Sequence, residues 1–291
     1  MKIAALLLAV VIVCVIAGLA FAEFRWRAGT NAAVSALMDG VGGSPLARFS
    51  TTELERLPAP VARYFRAVLK DGKPVVHHVW LRQAGEFLAK PEDADGWRPF
   101  EATQDFATQP AGFVWDARIH MAPGLAVRVR DACVHGTGSM FGAMLGLVTV
   151  VRMENTPEMG TASLMRYLAE ANWFPTALLP SAGVVWTPMD DSTARASLTV
   201  GSTTAALDFH FRSDGLIERV FSQRPRAVGD SSVLTPWEGR WTEWAERDGA
   251  LIPVAGEVAW LLPEGRQAYW RGRITDIVYD RNEEAPWTRR N

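Results

Sequence analysis

Cysteine is nearly absent from this chain: two residues, Cys14 and Cys133, among 291. Cys14 falls in an apolar leader, so Cys133 is alone in the rest and no intrachain disulfide supports the fold. Neither charge sign is in excess, with Lys+Arg 30 against Asp+Glu 32 and a formal net charge of −2. Phosphate binding needs a basic surface, so nucleic acid is excluded as the main partner. A dinucleotide fingerprint and a P-loop are both missing, and no cofactor is expected. The string Gly136-Thr137-Gly138-Ser139-Met140 lacks the G-x-S-x-G form of a nucleophile elbow and reads as a loop entering FGAMLGL.

Other chemistry-bearing residues have plain structural readings. Asp131, Cys133 and His135 alternate and share a face on a regular strand, but no paired motif supports them. They read as a strand end leaving a core, and no metal is expected. His77 and His78 lie on opposite faces, and His120 and His210 read as outward-facing. Asp190-Asp191 follow Pro188 and fit a turn, while Glu170 stands four residues after Arg166, the spacing of an ordinary helical ion pair.

One long apolar run is present. Ile3 to Ala22 carry no charge, and twenty residues at 1.5 Å rise span about 30 Å, the thickness of a bilayer core. Residues 1–22 therefore read as a transmembrane anchor. The alternative is a signal peptide cut after Ala20-Phe21-Ala22, for which the apolar stretch is long. With so short an N-terminus ahead of it, the expected arrangement is a single pass through a bacterial inner membrane, the body extracytoplasmic. Residues 23–50 read as a juxtamembrane segment and tether, with a short helical candidate at 32–38 and Gly40, Gly42, Gly43, Ser44 and Pro45 beyond it.

Residues 51–280 read as a single domain and 281–291 as a polar tail. Ser50-Thr51-Thr52-Glu53 offers a helix cap, and 60–69 place Val61, Tyr64, Phe65, Val68 and Leu69 on one helical face. From residue 75 the apolar period changes to two. Phe113, Trp115, Ala117, Ile119 and Met121 share a face, as do Leu125, Val127 and Val129, and Leu207, Phe209 and Phe211. Further strands are expected at 183–188, 194–200, 216–224, 237–246, 251–262 and 267–279. Asp214-Gly215 and Asp248-Gly249 mark hairpin turns. A helix over 157–174 interrupts the strands, opened by Thr156-Pro157-Glu158 and closed before Pro175. The fold class expected is α+β: a strongly curved antiparallel sheet, a half-open barrel, with a central packing helix and an N-terminal transmembrane helix.

Twelve tryptophans are the unusual content. Trp115, Trp173, Trp186, Trp260 and Trp270 fall on or beside apolar faces, where they either fill a large core or line a greasy cavity with a polar rim.

The string RYLAEANWFPTALLPS, Arg166 to Ser181, resembles a bacterial family of membrane-anchored proteins known as a domain of unknown function. LPAPVARYFRAVL, WRPFEATQDFATQPAGFVWDARI, PWEGRW, IPVAGEVAW and YWRGRITDI extend the resemblance over about residues 57–278. Asn172 and Phe174 occupy positions that vary within the motif. The resemblance transfers no activity and no catalytic residue. The order of elements is also similar to the periplasmic lipoprotein carrier and receptor half-barrel, a likeness of topology alone.

The expected function is a membrane-anchored, extracytoplasmic, non-enzymatic binding module for a lipid or other apolar ligand. Its candidate ligand-binding residues are Phe113, Trp115, Met121, Arg166, Glu170, Trp173, Trp186, Phe209, Phe211 and Trp260. Two alternatives remain at this stage. One is an envelope hydrolase acting on a lipid or glycan, with Glu170, Asp190 or His135 as acid or base. The other is a structural envelope interaction protein, whose mark would be an exposed apolar patch.

Overall fold

The computed structural model describes residues 2–41, 47–88, 96–229 and 231–280. Thirteen strands form one antiparallel sheet: β1 (His78–Leu88), β2 (Trp97–Thr108), β3 (Ala111–Ala122), β4 (Leu125–Val134), β5 (Thr137–Met144), β6 (Val148–Glu154), β7 (Val185–Pro188), β8 (Thr193–Val200), β9 (Thr203–Phe211), β10 (Ile217–Val228), β11 (Ser231–Arg247), β12 (Ala250–Leu262) and β13 (Gly265–Tyr279). Their spatial order is β6-β5-β4-β3-β2-β1-β13-β12-β11-β10-β9-β8-β7, so two meanders join where β1 pairs with β13. Helix α3 (Pro157–Glu170) leaves one edge strand, and three 3-10 turns at Ala171–Trp173, Pro175–Leu178 and Pro180–Ala182 lead to the other.

The sheet curls around α3, which packs on β3, β4 and β5 from one meander and on β8, β9 and β10 from the other. Its cap follows local chemistry: Thr156 Oγ1 accepts a hydrogen bond from the Met159 N–H at 3.1 Å, and Pro157 sits where no donor is needed. Close approach depends on glycine. A Cβ on Gly138 would lie 2.4 Å from the Met159 carbonyl oxygen, so no larger residue fits between β5 and α3. The helical form ends at Glu170, earlier than the 174 expected, and continues as 3-10 turns ahead of Pro175.

Helix α2 (Ala59–Val68) follows a capped 3-10 turn at Thr51–Arg56 and buries Val61, Tyr64, Phe65 and Val68 in the main core. With the 3-10 turns it plugs one end of the curled sheet. Phe106 packs against Phe174 with tilted rings and centroids 4.7 Å apart, and Tyr64 Oη donates to Asn172 Oδ1 at 2.6 Å.

Two sequence expectations need correction. Of Gly136–Met140 only Gly136 is in a turn, at φ 78°: Thr137–Met144 is β5, paired with β4 and β6. The reading of 23–50 as a tether also fails over its first half. Helix α1 runs unbroken from Lys2 to Met38, and Ala22, Trp26, Thr30, Val34 and Leu37 are buried. That stripe packs on the outer face of β2, β3 and β4, where Val34 and Leu37 join Ala107, Val114 and Ala132 in a second small core. Trp26 Nε1 donates to Asp116 at 3.0 Å, Thr30 Oγ1 donates to the same carboxylate at 2.7 Å, and Arg128 pairs with Glu23 at 2.5 Å. Gly42, Gly43, Ser44 and Pro45, and the tail at 281–291, lie outside the described residues.

Candidate functional site

The inward side chains of a curled strand converge, so the alternation seen in the sequence produces a lined hollow rather than a flat face. Between the concave sheet and α3 lies a cavity of about 480 Å³. Its walls are mostly aromatic and branched aliphatic. Trp115, Ile119 and Met121 come from β3, Val127 and Val129 from β4, Trp237 and Trp241 from β11, and Val150 and Val151 from the edge strand β6. Four lining residues are charged: Asp131, Arg166, Glu170 and Arg224.

Three of the four form one ion-pair cluster. Arg166 on α3 donates from Nε to Glu170 Oε1 at 2.8 Å and from Nη1 to Asp131 Oδ2 at 2.6 Å. Its guanidinium lies over Phe113 at 4.8 Å and Trp115 at 5.0 Å. Gln104 Nε2 donates to Glu170 Oε2 at 2.7 Å, and Trp115 Nε1 donates to Gln83 Oε1 at 3.0 Å. Burial raises the Glu170 carboxyl above its ordinary value, against the opposing pull of Arg166 and Gln104. The ordinary i,i+4 pair of the sequence is thus one side of a buried polar floor.

Arg224 borders the cavity from β10. It lies over Trp237 at 5.2 Å and Trp260 at 5.7 Å, and its Nη2 donates to the Ala162 carbonyl of α3 at 3.1 Å. Trp237 Nε1 donates to Tyr269 Oη at 2.9 Å. Among the described residues, three buried polar atoms of lining side chains have no partner: Asp131 Oδ1 and the indole nitrogens of Trp173 and Trp241. One acceptor and two donors are therefore unsatisfied in an otherwise apolar wall.

Of the ten residues singled out from the sequence, Trp115, Met121, Arg166, Glu170 and Trp173 line this cavity. Phe113 lies fully buried beneath Arg166, and Trp260 stacks on the lining residue Tyr269 at 5.8 Å. Trp186, Phe209 and Phe211 sit apart, packed on one another and, through Phe211, on Tyr64 of α2. Period-two alternation marks the concave face but does not say which stretch of it is plugged. Asp131, Gln104, Arg224, Trp237 and Trp241 were not singled out as ligand-binding. Parity was the available signal for two of them: Asp131 continues the Val127 and Val129 face, and Gln104 falls between Phe100 and Phe106.

The remaining polar candidates are dispersed. Asp190 caps the β7–β8 turn through Ser192 N at 2.8 Å. His135, at φ 51°, turns outward and its Nε2 lies 3.1 Å from the Ala36 carbonyl of α1, whereas Cys133 is buried. No three metal-ligating side chains converge among the described residues.

A LolA superfamily protein from Nitrosomonas europaea is similar in structure, at 8% sequence identity and a TM-score of 0.37, covering 77% of this chain and 94% of that one. Nothing among curated proteins matches the sequence. Residues 55–279, from the turn before α2 to the end of β13, match a family of unknown function throughout, and the chain belongs to that family, DUF6920.

Proposed function

We propose that this protein is a non-enzymatic binding module that holds a lipid or other apolar ligand inside its half-barrel. In this reading residues 3–22 cross the bacterial inner membrane once and the half-barrel stands on the extracytoplasmic side. The observation that carries the reading is the cavity of about 480 Å³ between the concave sheet and α3. That volume lies within the range of roughly 300–1,000 Å³ usual for small-ligand sites, and such sites combine apolar walls with few polar groups. The acidic groups at its floor support binding over catalysis: Glu170 and Asp131 are both held by Arg166, and neither has a free basic partner. A ligand with an apolar body and one polar group would match the walls and the three unsatisfied polar atoms.

Native mass spectrometry of the full chain, purified from a bacterial envelope and released from detergent, tests this directly. The expected result is a stoichiometric adduct that partitions into organic solvent. Val127→Trp, which fills the cavity from β4, should lose that adduct while the protein stays folded. A clean apo mass for the wild-type chain would overturn the proposal.

A further inference from the structure

We infer that the rim of the half-barrel beside Ala22 is a second membrane contact, so that the mouth of the cavity sits against the bilayer. The inference rests on residues 3–22 spanning that bilayer. Antiparallel pairing puts the β3–β4 turn at Pro123-Gly124, the β5–β6 turn at 145–147 and the β12–β13 turn at 263–264 at one end of the sheet. The last residues of β1 and β10 are at that end too.

Helix α1 fixes which way this end faces. Leu37 packs at the start of β3, where its Cδ1 would lie 2.9 Å from a Cβ on Gly112. Ala22 lies at the β5–β6 turn, its carbonyl oxygen 3.6 Å from where a Cβ on Gly146 would be. The docked half of α1 thus runs antiparallel to β3, and the apolar half leaves the sheet at the rim. Twenty residues at 1.5 Å rise match a bilayer core of about 30 Å, so Ala22 marks its boundary. Phe21 and Phe24 flank that point, both exposed, as interfacial aromatics do.

Part of the rim is apolar, although Glu264 of the β12–β13 turn is exposed there. Leu147 is 53% exposed and Val148 64% beside Ala22, and Leu234 at the start of β11 is 66% exposed. Exposed apolar side chains of this kind mark an interaction site, and the continuity of the 145–148 turn with α1 at Ala22 identifies the occupant as lipid. The other end is closed: the 3-10 turns meet Phe106, and Tyr279 Oη donates to the Trp173 carbonyl at 2.7 Å. The cavity runs from Trp173 near that plug to Met121, Val127 and Val150 near the rim. Strand β6 is an unpaired edge, whose free backbone groups need water or headgroups. The rim therefore rests in the interfacial layer, above the hydrocarbon.

The test uses the full chain in phosphatidylcholine vesicles, with an environment-sensitive fluorophore on single added cysteines in a Cys14→Ser background, where the remaining Cys133 is buried. Leu147→Cys and Leu234→Cys report the rim, and Lys70→Cys, after α2, reports the opposite end. Emission at both rim positions should shift to the blue on reconstitution and be partly quenched by acyl chains brominated near the headgroup, with Lys70→Cys unchanged by either. Equal, water-like emission at all three positions would overturn the inference, whether or not wild-type protein carries an adduct. Quenched rim probes without any adduct would leave the membrane contact standing and remove the binding reading instead.

Discussion

Trp26 and Asp116 join the N-terminal helix α1 to the half-barrel: the indole N–H donates to the carboxylate at 3.0 Å, on the outer face of β3. The ring stacks on Phe141 with centroids 5.5 Å apart, and Arg128 and Arg130 each lie 5.2 Å from its centre. The domain is therefore held in one orientation relative to α1.

Trp26→Ala should free this half of the helix. A buried aromatic truncated to alanine costs about 3–5 kcal/mol, and Asp116 loses one donor. Hydrogen exchange should speed up across residues 26–38 while α3 and the central strands stay protected. Equal protection in both proteins would mean that packing by Val34 and Leu37 suffices.

Arg166→Met leaves two buried carboxylates without their cation. The expected loss of stability is about 3–5 kcal/mol, the usual cost of breaking a buried pair from one side. Adding Asp131→Asn and Glu170→Gln should recover most of it, because the stranded charges are then gone. Urea unfolding of the single and triple variants measures both effects.

Two glutamates should give opposite pH dependences. Glu170 binds its proton more tightly when folded, because burial raises its carboxyl. Its stabilising contribution is full below the ordinary value of 4.5 and is lost as pH rises through the folded value. Glu170→Gln should therefore gain on wild type from acidic to neutral pH. For Glu238, burial alone would raise the carboxyl, but Arg266 at 2.5 Å and Arg240 at 2.9 Å bring it below 4.5. Its contribution is present above 4.5 and lost as pH falls through the folded value, so Glu238→Gln should cost most at neutral pH. Unfolding midpoints across the pH range read both slopes.

Cys133 should be inert to thiol reagents in the folded protein. It is fully buried on β4, and burial followed by the nearby Asp131 pushes its thiol up to about 12. In a Cys14→Ser background, maleimide labelling should follow global unfolding, with little reaction before the denaturant transition. Rapid labelling in native buffer would mean that β4 opens locally.

Much of the architecture was legible in residue order. Alternation in GFVWDARIHM and AALDFHF, the turns at Asp214-Gly215 and Asp248-Gly249, and the Thr156-Pro157 cap correspond to β3, β9, two hairpins and α3. The docking of α1 was less visible, although Ala22, Trp26, Thr30 and Val34 recur at four-residue spacing. Their partner surface is an outward strand face bearing Asp116, Arg128 and Arg130, which by itself looks solvated. Half of the candidate site was legible for the same reason: alternation identifies the concave residues and is blind to what covers them.

The sequence by itself determined the elements, because caps, turns and apolar periods act over a few residues: an apolar N-terminal span, a long run of two-period strands and one interrupting helix. Only the tertiary structure decided the strand order, with β1 beside β13, and that Trp186, Phe209 and Phe211 pack solid while Trp115, Trp173 and Trp241 surround a hollow. It also decided that Arg166 reaches Asp131 across 35 residues and that α1 docks on the outer face of β2, β3 and β4. Those outcomes depend on sheet curvature and on contacts between segments far apart in the chain, which no local pattern encodes.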